Sequence, residues 1–282
     1  MVTTTRLTCF QDLFLQLTPA AAFTGINRMT IGPDAAEMRQ FILSLIDWSN
    51  ARNVLDIGCG AGYDLYKAGE YLPTGQQSFA LCGLDRDEQK IAIAKSDKRH
   101  DQRYSFIAHD LSEKMPYPNH NFDIVFSHNV LECIPDKTQF LSEVHRILKP
   151  GGQFLCAHFD WDSAFYNGRD KALIRRIVHA YADWKQGWME ACDGWMGRRL
   201  WGTINASSLF VNAKIIPYQL VNTTYEFPYY GFESVQAYAE MVKANIISGD
   251  EYEEFKSEIE SVASSGEYFF SITTFIYLGL AL

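Results

Sequence analysis

The chain has 282 residues, 47% of them hydrophobic and 21% charged, with a formal net charge of −9. That composition is globular and long enough to bury a large core, which excludes a disordered or collagen-like polymer. The negative balance disfavours sequence-independent binding to nucleic acid, and no apolar run approaches the ~18 residues of a membrane span.

Residues 1 to about 33 read as partly helical around Phe10 to Leu17, with a loop at Thr18-Pro19 and Gly25. Pro33 opens a helix from Asp34 to Trp48 with Phe41, Ile42, Leu45 and Ile46 on one side, since proline suits a first turn. Alternating units follow. Strand 53–57 leads to helix 61–72, strand 79–84 to helix 87–97, and strand 104–108 ends at His109-Asp110-Leu111. Strand 122–127 leads to helix 136–148, Lys149-Pro150-Gly151-Gly152 stops that helix, and strand 153–158 follows. The alternation predicts an α/β fold with a parallel sheet and ligands beyond the carboxyl ends of its strands. Residues 159–201 hold most of the tryptophans, and a helix is predicted over 170–190. Strand Lys214 to Leu220 contains Pro217, the mark of an edge or bulge. Helices near 232–246 and 250–262 precede a last strand, Tyr268 to Leu278. The division predicted is a helical cap (1–48), a ligand-binding core (49–160), and lid helices with the closing strands of the same sheet (161–282).

The cysteines at 9, 59, 82, 133, 156 and 192 form no Cys-x-x-Cys pair, which predicts a reducing, cytoplasmic setting without disulfides. The first residues carry Arg6 and Asp12 among threonines, a poor match to a signal peptide.

The stretch Val54-Leu55-Asp56-Ile57-Gly58-Cys59-Gly60-Ala61-Gly62 reads as a buried strand, a tight turn and a helix start. Glycines let bare backbone approach a ligand. Asp56 just before the turn favours a ligand carrying a cation over a phosphate. The spacing Gly-x-Gly-x-Gly departs from the dinucleotide fingerprint, and no Gly-Lys-Ser/Thr follows. A second strand ends in Asp85, where an acid suits a ribose diol.

These residues resemble the first motif of class I S-adenosylmethionine-dependent methyltransferases, Asp/Glu-x-Gly-x-Gly-x-Gly. Asn121-Phe122-Asp123-Ile124-Val125-Phe126-Ser127 and Leu148-Lys149-Pro150-Gly151-Gly152 continue the resemblance over about residues 50 to 158. Their order is similar to the ubiquinone/menaquinone-biosynthesis-like small-molecule branch. The run Ser127-His128-Asn129-Val130-Leu131-Glu132 departs from the Phe-Gly-x-Arg-Asn type of quinone enzymes, so a quinone substrate is not implied. The resemblance implies a three-layer α/β/α Rossmann-like sheet, mostly parallel with an antiparallel final strand, and a helical lid in the C-terminal half.

It also implies S-adenosyl-L-methionine as cofactor. Asp56, Gly58, Cys59, Gly60 and Gly62 would hold its methionine end, together with Ser127 and Asn129. Asp85, with Arg86 alongside, would hold the ribose, and Asp110 and Leu111 the adenine. His109 either stacks on the ring or caps its strand. Arg28 to Thr30 are a further candidate for the amino-acid end. The bland alternatives are an N-cap for Asp85 and a turn acid for Asp110, while Asp123 reads as a brace.

The sulfonium methyl is electrophilic, and proximity alone can supply ~7–11 kcal/mol. A protonated amine or phenol needs a base, and His128 and His158 stand at strand ends where they could act, unless they are hydrogen-bonded wall residues. His158, Asp160 and Asp162 alternate along a strand, a weak metal pattern, and no metal is predicted. Asp160, Trp161, Trp195 and Tyr229 are candidate substrate contacts, as an aromatic pocket or an amine cage. Most of the aromatic cluster, including Trp184 and Trp188 at helical spacing, reads as core. Arg198 and Arg199 read as fasteners of the lid, with an anion clamp as the alternative. The function expected is methyl transfer to an oxygen or nitrogen nucleophile of a small molecule. The alternatives are a non-catalytic cofactor-binding subunit and a sulfonium enzyme with another outcome.

Overall fold

The computed structural model describes residues 32–72, 79–97 and 99–282. Its centre is β1 (Asn53–Ile57), in which Val54, Leu55 and Ile57 are wholly buried. A strand covered on both faces has no polar alternation, which is why this one reads as a continuous apolar run. β1 pairs in parallel with β2 (Ala80–Asp85) and β4 (Phe122–His128), and β2 pairs in parallel with β3 (Tyr104–Ala108). β5 (Leu148–Tyr166) pairs in parallel with β4 and antiparallel with β7 (Phe270–Ala281), which in turn pairs antiparallel with β6 (Phe210–Asn222). The seven-stranded order is β3-β2-β1-β4-β5-β7-β6. The strand order runs outward in opposite directions from the β1–β4 pair, which makes the carboxyl ends of these two strands the expected ligand crevice.

Helices cover both faces. α1 (Pro33–Ser44), α2 (Tyr63–Ala68) and α3 (Glu88–Ser96) join α5 (Lys171–Asp183), α7 (Tyr230–Lys243) and α8 (Gly249–Ser264) in one apolar cluster. α4 (Lys137–Ile147) and α6 (Met196–Asn205) supply the other. Local chemistry sets the starts. Asp87, Asp136 and Asp170 accept backbone N–H groups at the heads of α3, α4 and α5, and Ser248 with Glu251 forms a full capping box on α8; such caps satisfy donors that the helix itself cannot. Asp123 braces the sheet as expected: its carboxylate accepts from the Arg52 and Asn53 amides at 3.0 and 2.8 Å and from Lys149 at 2.5 Å. Pro217 lies in β6, which pairs with β7 alone among the described strands, so the missing N–H costs no ladder bond.

Three expectations are corrected. β5 does not end at 158 but runs on to Tyr166, because β7 continues to pair with it after β4 has stopped. The helix predicted over 170–190 ends at Asp183, where its buried face of Leu173, Ile174, Ile177, Val178 and Ala182 also ends. Trp188 therefore does not pack as a helical core residue and is 58% exposed. α6 was not predicted at all. No helix among the described residues is long and apolar enough to cross a membrane.

Candidate active site

Two turns meet at the head of the crevice. Gly58, Gly60 and Gly62 all have positive φ, at 72°, 52° and 78°. At Gly58 a Cβ would stand 2.2 Å from Val130 Cγ2, so the first turn packs directly on the loop after β4. At Gly60 the nearest atom to a Cβ would be Lys90 Cδ at 3.9 Å, so this backbone faces open space where a ligand can reach it. The Gly58 and Cys59 amides donate to the Leu84 carbonyl at 2.7 and 2.9 Å, and the Gly60 amide donates to Asp85 Oδ2 at 2.8 Å. Asp85 Oδ1 accepts from the Asp87 amide at 2.9 Å. Asp85 thus ties the β1 turn to the β2 turn and is not the helix cap, a role taken by Asp87. Each of its oxygens keeps a lone pair for a further donor.

Asp56 is almost wholly buried, and its Oδ2 has no hydrogen-bond partner among the described residues. Burial, then the neighbouring charge of Asp64, raises its pKa well above the carboxylate range, against the pull of Arg39. Such a group wants a cationic or hydrogen-bonding ligand. Together with the open backbone at Gly60, it fits the amino-acid end of S-adenosylmethionine.

Past the end of β3, the His109 amide donates to the Asp85 carbonyl at 2.9 Å, and His109 Nε2 is buried without a partner among the described residues. Asp110 is exposed; its Oδ1 accepts from the Ser112 amide at 2.8 Å, which holds its carboxyl below the usual range. Leu111 is half-buried beside it. Arg86 reaches away from this turn. Its guanidinium pairs with Glu190 at 2.9 Å and donates to the Trp188 carbonyl, strapping the 184–195 segment across the β2 end. Arg28 to Thr30 lie outside the described residues.

The β4 end brings three expected residues together but uses them unequally. Ser127 is a correction: it is fully buried and its hydroxyl points at Cys156 Sγ, 3.5 Å away, because the strand's alternation turns it into the sheet. Its side chain does not reach the crevice. Asn129 takes a left-handed φ of 57°, and its Oδ1 accepts from the Phe159 amide at 2.9 Å. It closes the gap that opens as β4 and β5 part. His128 Nδ1 lies 3.5 Å from Asp64 Oδ2, and Asp64 Oδ1 pairs with Arg39 at 2.6 Å. Burial works to raise the Asp64 pKa, but Arg39 and His128 outweigh it and hold the carboxyl well below its ordinary value. Burial lowers the pKa of His128, with Asp64 opposing. The ring is therefore neutral at neutral pH, as an acceptor of protons must be.

Beyond it stands an aromatic wall. Phe159 lies 6.0 Å from the His128 ring, 5.1 Å from Trp161 and 5.2 Å from Tyr230, and Trp161 is 5.8 Å from Tyr181, all between ring centroids. His158 is wholly enclosed; its Nδ1 is 2.8 Å from the Phe159 carbonyl, and burial pushes its pKa down to about 4. Asp160 is not free to hold an amine. It is 1% exposed and takes a two-pronged pair from Arg198, through Nε and through Nη2 at 2.6 Å. Trp195 donates to Asp162 at 3.0 Å and lies under the Arg198 guanidinium, 4.7 Å from its centroid. Arg199 pairs with Asp193 at 2.7 Å. Arg198 and Arg199 thus hold α6 and the segment before it, as expected of fasteners. Tyr229 is half-buried at the N-cap of α7. The His158 ring turns to the Phe159 carbonyl while Asp160 and Asp162 both face Arg198, and among the described residues no group of three or more such side chains is arranged for a metal ion.

Sequence reading missed Glu132. It lies on a 3-10 turn, Leu131–Cys133, is 5% exposed, and its Oε2 accepts from Trp161 Nε1 at 2.7 Å. Burial pushes its pKa up to about 7, with the Trp161 indole opposing. The signal present was an acid flanked by Leu131 and Cys133 after a strand end, which is equally common on exposed turns.

The comparisons with known proteins agree with this geometry. Residues 49–212 match the family model described as a methyltransferase domain. A demethylmenaquinone methyltransferase of Listeria welshimeri is 32% identical over 120 residues, 42% of this chain and 49% of that protein. A phthiotriol/phenolphthiotriol dimycocerosates methyltransferase of Mycobacterium leprae is 29% identical over 139 residues, 46% of this chain and 49% of that protein. The chain thus spans about half the length of the curated relatives it matches. Among solved structures, phosphoethanolamine N-methyltransferase 2 of Haemonchus contortus, in complex with S-adenosyl-L-methionine, superposes with a TM-score of 0.55 at 18% identity, over 96% of this chain and 60% of that one. The YcgJ protein of Bacillus subtilis gives 0.53 at 16%, over 87% and 98%. The match over residues 49–212, set on this sheet and this glycine turn, places the chain in the methyltransferase-domain family, the class I enzymes that depend on S-adenosylmethionine.

Proposed function

We propose that the protein transfers a methyl group from S-adenosylmethionine to an oxygen or nitrogen of a small organic molecule. The observation that carries this reading is the buried, unpartnered Asp56 carboxylate oxygen beside the open Gly60 backbone. When bound, the cofactor supplies an electrophilic methyl. Asp56 and the glycine turn would hold its amino-acid end, Asp85 the ribose hydroxyls, and Asp110, Leu111 and His109 the adenine. The acceptor would lie against Phe159 and Trp161, past the end of β4, where the rings exclude water and fix the attack direction. A quinone is not favoured: the demethylmenaquinone methyltransferase is matched over only 120 residues, and the loop after β4 keeps no Phe-Gly-x-Arg-Asn pattern.

The test is calorimetry with S-adenosylhomocysteine, followed by incubation with methyl-labelled S-adenosylmethionine and panels of phenols and amines. Binding and label in a product are expected. Binding without turnover on any panel would favour the non-catalytic subunit, and no binding would overturn the reading.

A further inference from the structure

Resting on that reading, we propose that Glu132 is the acceptor-side base: it receives the acceptor's O–H or N–H, together with His158, and takes the proton as the methyl arrives.

The geometry begins at the loop after β4. Val130 is pressed against Gly58, so this loop adjoins the turn that would hold the cofactor. Two residues on, the Glu132 carboxyl reaches into the wall formed by β5, where Trp161 Nε1 donates to its Oε2. The same oxygen lies 3.9 Å from His158 Nε2, too far for a hydrogen bond. The Phe159 carbonyl can only accept, so the neutral imidazole carries its proton on Nδ1 and leaves Nε2 a bare acceptor. His158 Nε2 is buried and has no partner among the described residues. Two buried acceptors therefore face each other, and among the described residues the Trp161 indole is the donor to an ionised Glu132. The two N–H bonds of a primary amine can satisfy both and the single O–H of a phenol can satisfy Glu132, whereas a thioether or tertiary amine satisfies neither.

Among the described residues, Lys137 from α4, Asp193 and Cys192 from the segment before α6, Tyr181 from α5 and the adjacent Cys133 are charged or titratable neighbours whose fields reach Glu132. Burial outweighs the Trp161 hydrogen bond and holds the carboxyl near pH 7, the range in which a carboxylate can both take and release a proton. His158, lowered by the same burial, serves as a positioning acceptor.

The step balances. The acceptor lone pair forms the new bond to the methyl carbon, and the carbon–sulfur electrons stay on sulfur as the sulfonium becomes a thioether. The acceptor's proton passes to the Glu132 carboxylate, which later loses it to water.

Two measurements test this on the full chain loaded with S-adenosylhomocysteine or S-adenosylmethionine. The first is an infrared titration of the protonated-carboxyl band. The wild type should show a component with a midpoint near pH 7 that is absent in Glu132→Gln and moves up by at least half a unit in Trp161→Phe. A midpoint below pH 5 overturns the proposal. The second compares labelled methyl transfer to donor-bearing acceptors (phenols, primary amines) and donor-free ones (thioethers, tertiary amines). Turnover confined to the first set is expected. In Glu132→Gln, which keeps an oxygen for the Trp161 indole, kcat should fall at least ~100-fold. The acidic limb of the pH profile should vanish, and S-adenosylhomocysteine affinity should stay within twofold. Transfer to the donor-free set, or a Gln variant with unaltered kcat and pH profile, overturns the inference while leaving methyl transfer intact. Failure of the wild type to bind S-adenosylhomocysteine overturns the functional reading itself.

Discussion

Removing Arg198 should destabilise the protein far more than neutralising the acid it holds. Asp160 is 1% exposed, whereas the Arg198 side chain is 39% exposed. Arg198→Met leaves a carboxylate in the interior with no counterion, and breaking a buried pair from that side costs about 3–5 kcal/mol. The same change loses the stacking of the guanidinium on Trp195 at 4.7 Å, worth about 0.5–1 kcal/mol at a partly exposed site. Asp160→Asn leaves Arg198 in a better position. It can still reach water and Asp162, whose Oδ2 lies 3.6 Å from Nη2, and the amide oxygen can accept one of the lost bonds. That cost should be about 1–2 kcal/mol. For domains of 150–250 residues Tm falls by about 2–4 °C per kcal/mol, so the drops should be ~7–24 °C and ~2–8 °C. Urea unfolding at pH 7 gives the free energies and thermal unfolding the Tm drops, both read by tryptophan fluorescence and far-UV circular dichroism. If the Asn variant were as damaging as the Met variant, the asymmetry of burial would not be the reason that α6 stays on β5.

Asp85→Ala should weaken S-adenosylhomocysteine binding by about 1.5–3 kcal/mol, the worth of charge-assisted bonds; an unchanged calorimetric affinity would misplace the sugar. Gly60→Ala should cost only the left-handed backbone penalty of about 1–2 kcal/mol, since nothing lies within 3.9 Å of the new methyl. Gly58→Ala adds a clash with Val130 at 2.2 Å and should lose clearly more in thermal unfolding. The folded-state pKa of Glu132 is raised from 4.5 to about 7, so its burial stabilises the fold relative to an ionised group below pH 4.5. That advantage is lost as pH rises through 7. Glu132→Gln should accordingly gain on the wild type by about 3 kcal/mol between pH 4.5 and pH 8. Paired urea melts at the two pH values check it, and no relative gain would mean the carboxyl ionises normally.

The sequence alone determined the parallel half of the sheet and the glycine turn at its head. Strands β1 and β3 match the expected ranges to the residue, because β1 is a continuous buried apolar run and β3 alternates buried and exposed residues between turns, patterns that composition shows locally. The glycine turn and Asp85 were legible for the same local reason: positive φ and a strand-end acid are properties of a few adjacent residues. What only the tertiary structure decided lies where long-range pairing chooses. β5 outruns β4 because β7, more than a hundred residues later, offers it a partner. Ser127 turns inward and Asp160 is taken by Arg198, 38 residues away, because these depend on which face and which helix arrive there. Glu132 belongs to the same class. Nothing in Val130-Leu131-Glu132-Cys133 announces a buried carboxyl, since its burial is made by Trp161 and His158 on a neighbouring strand that folds over it. Local conformation is encoded locally, but desolvation is a property of the neighbours that the chain brings from afar.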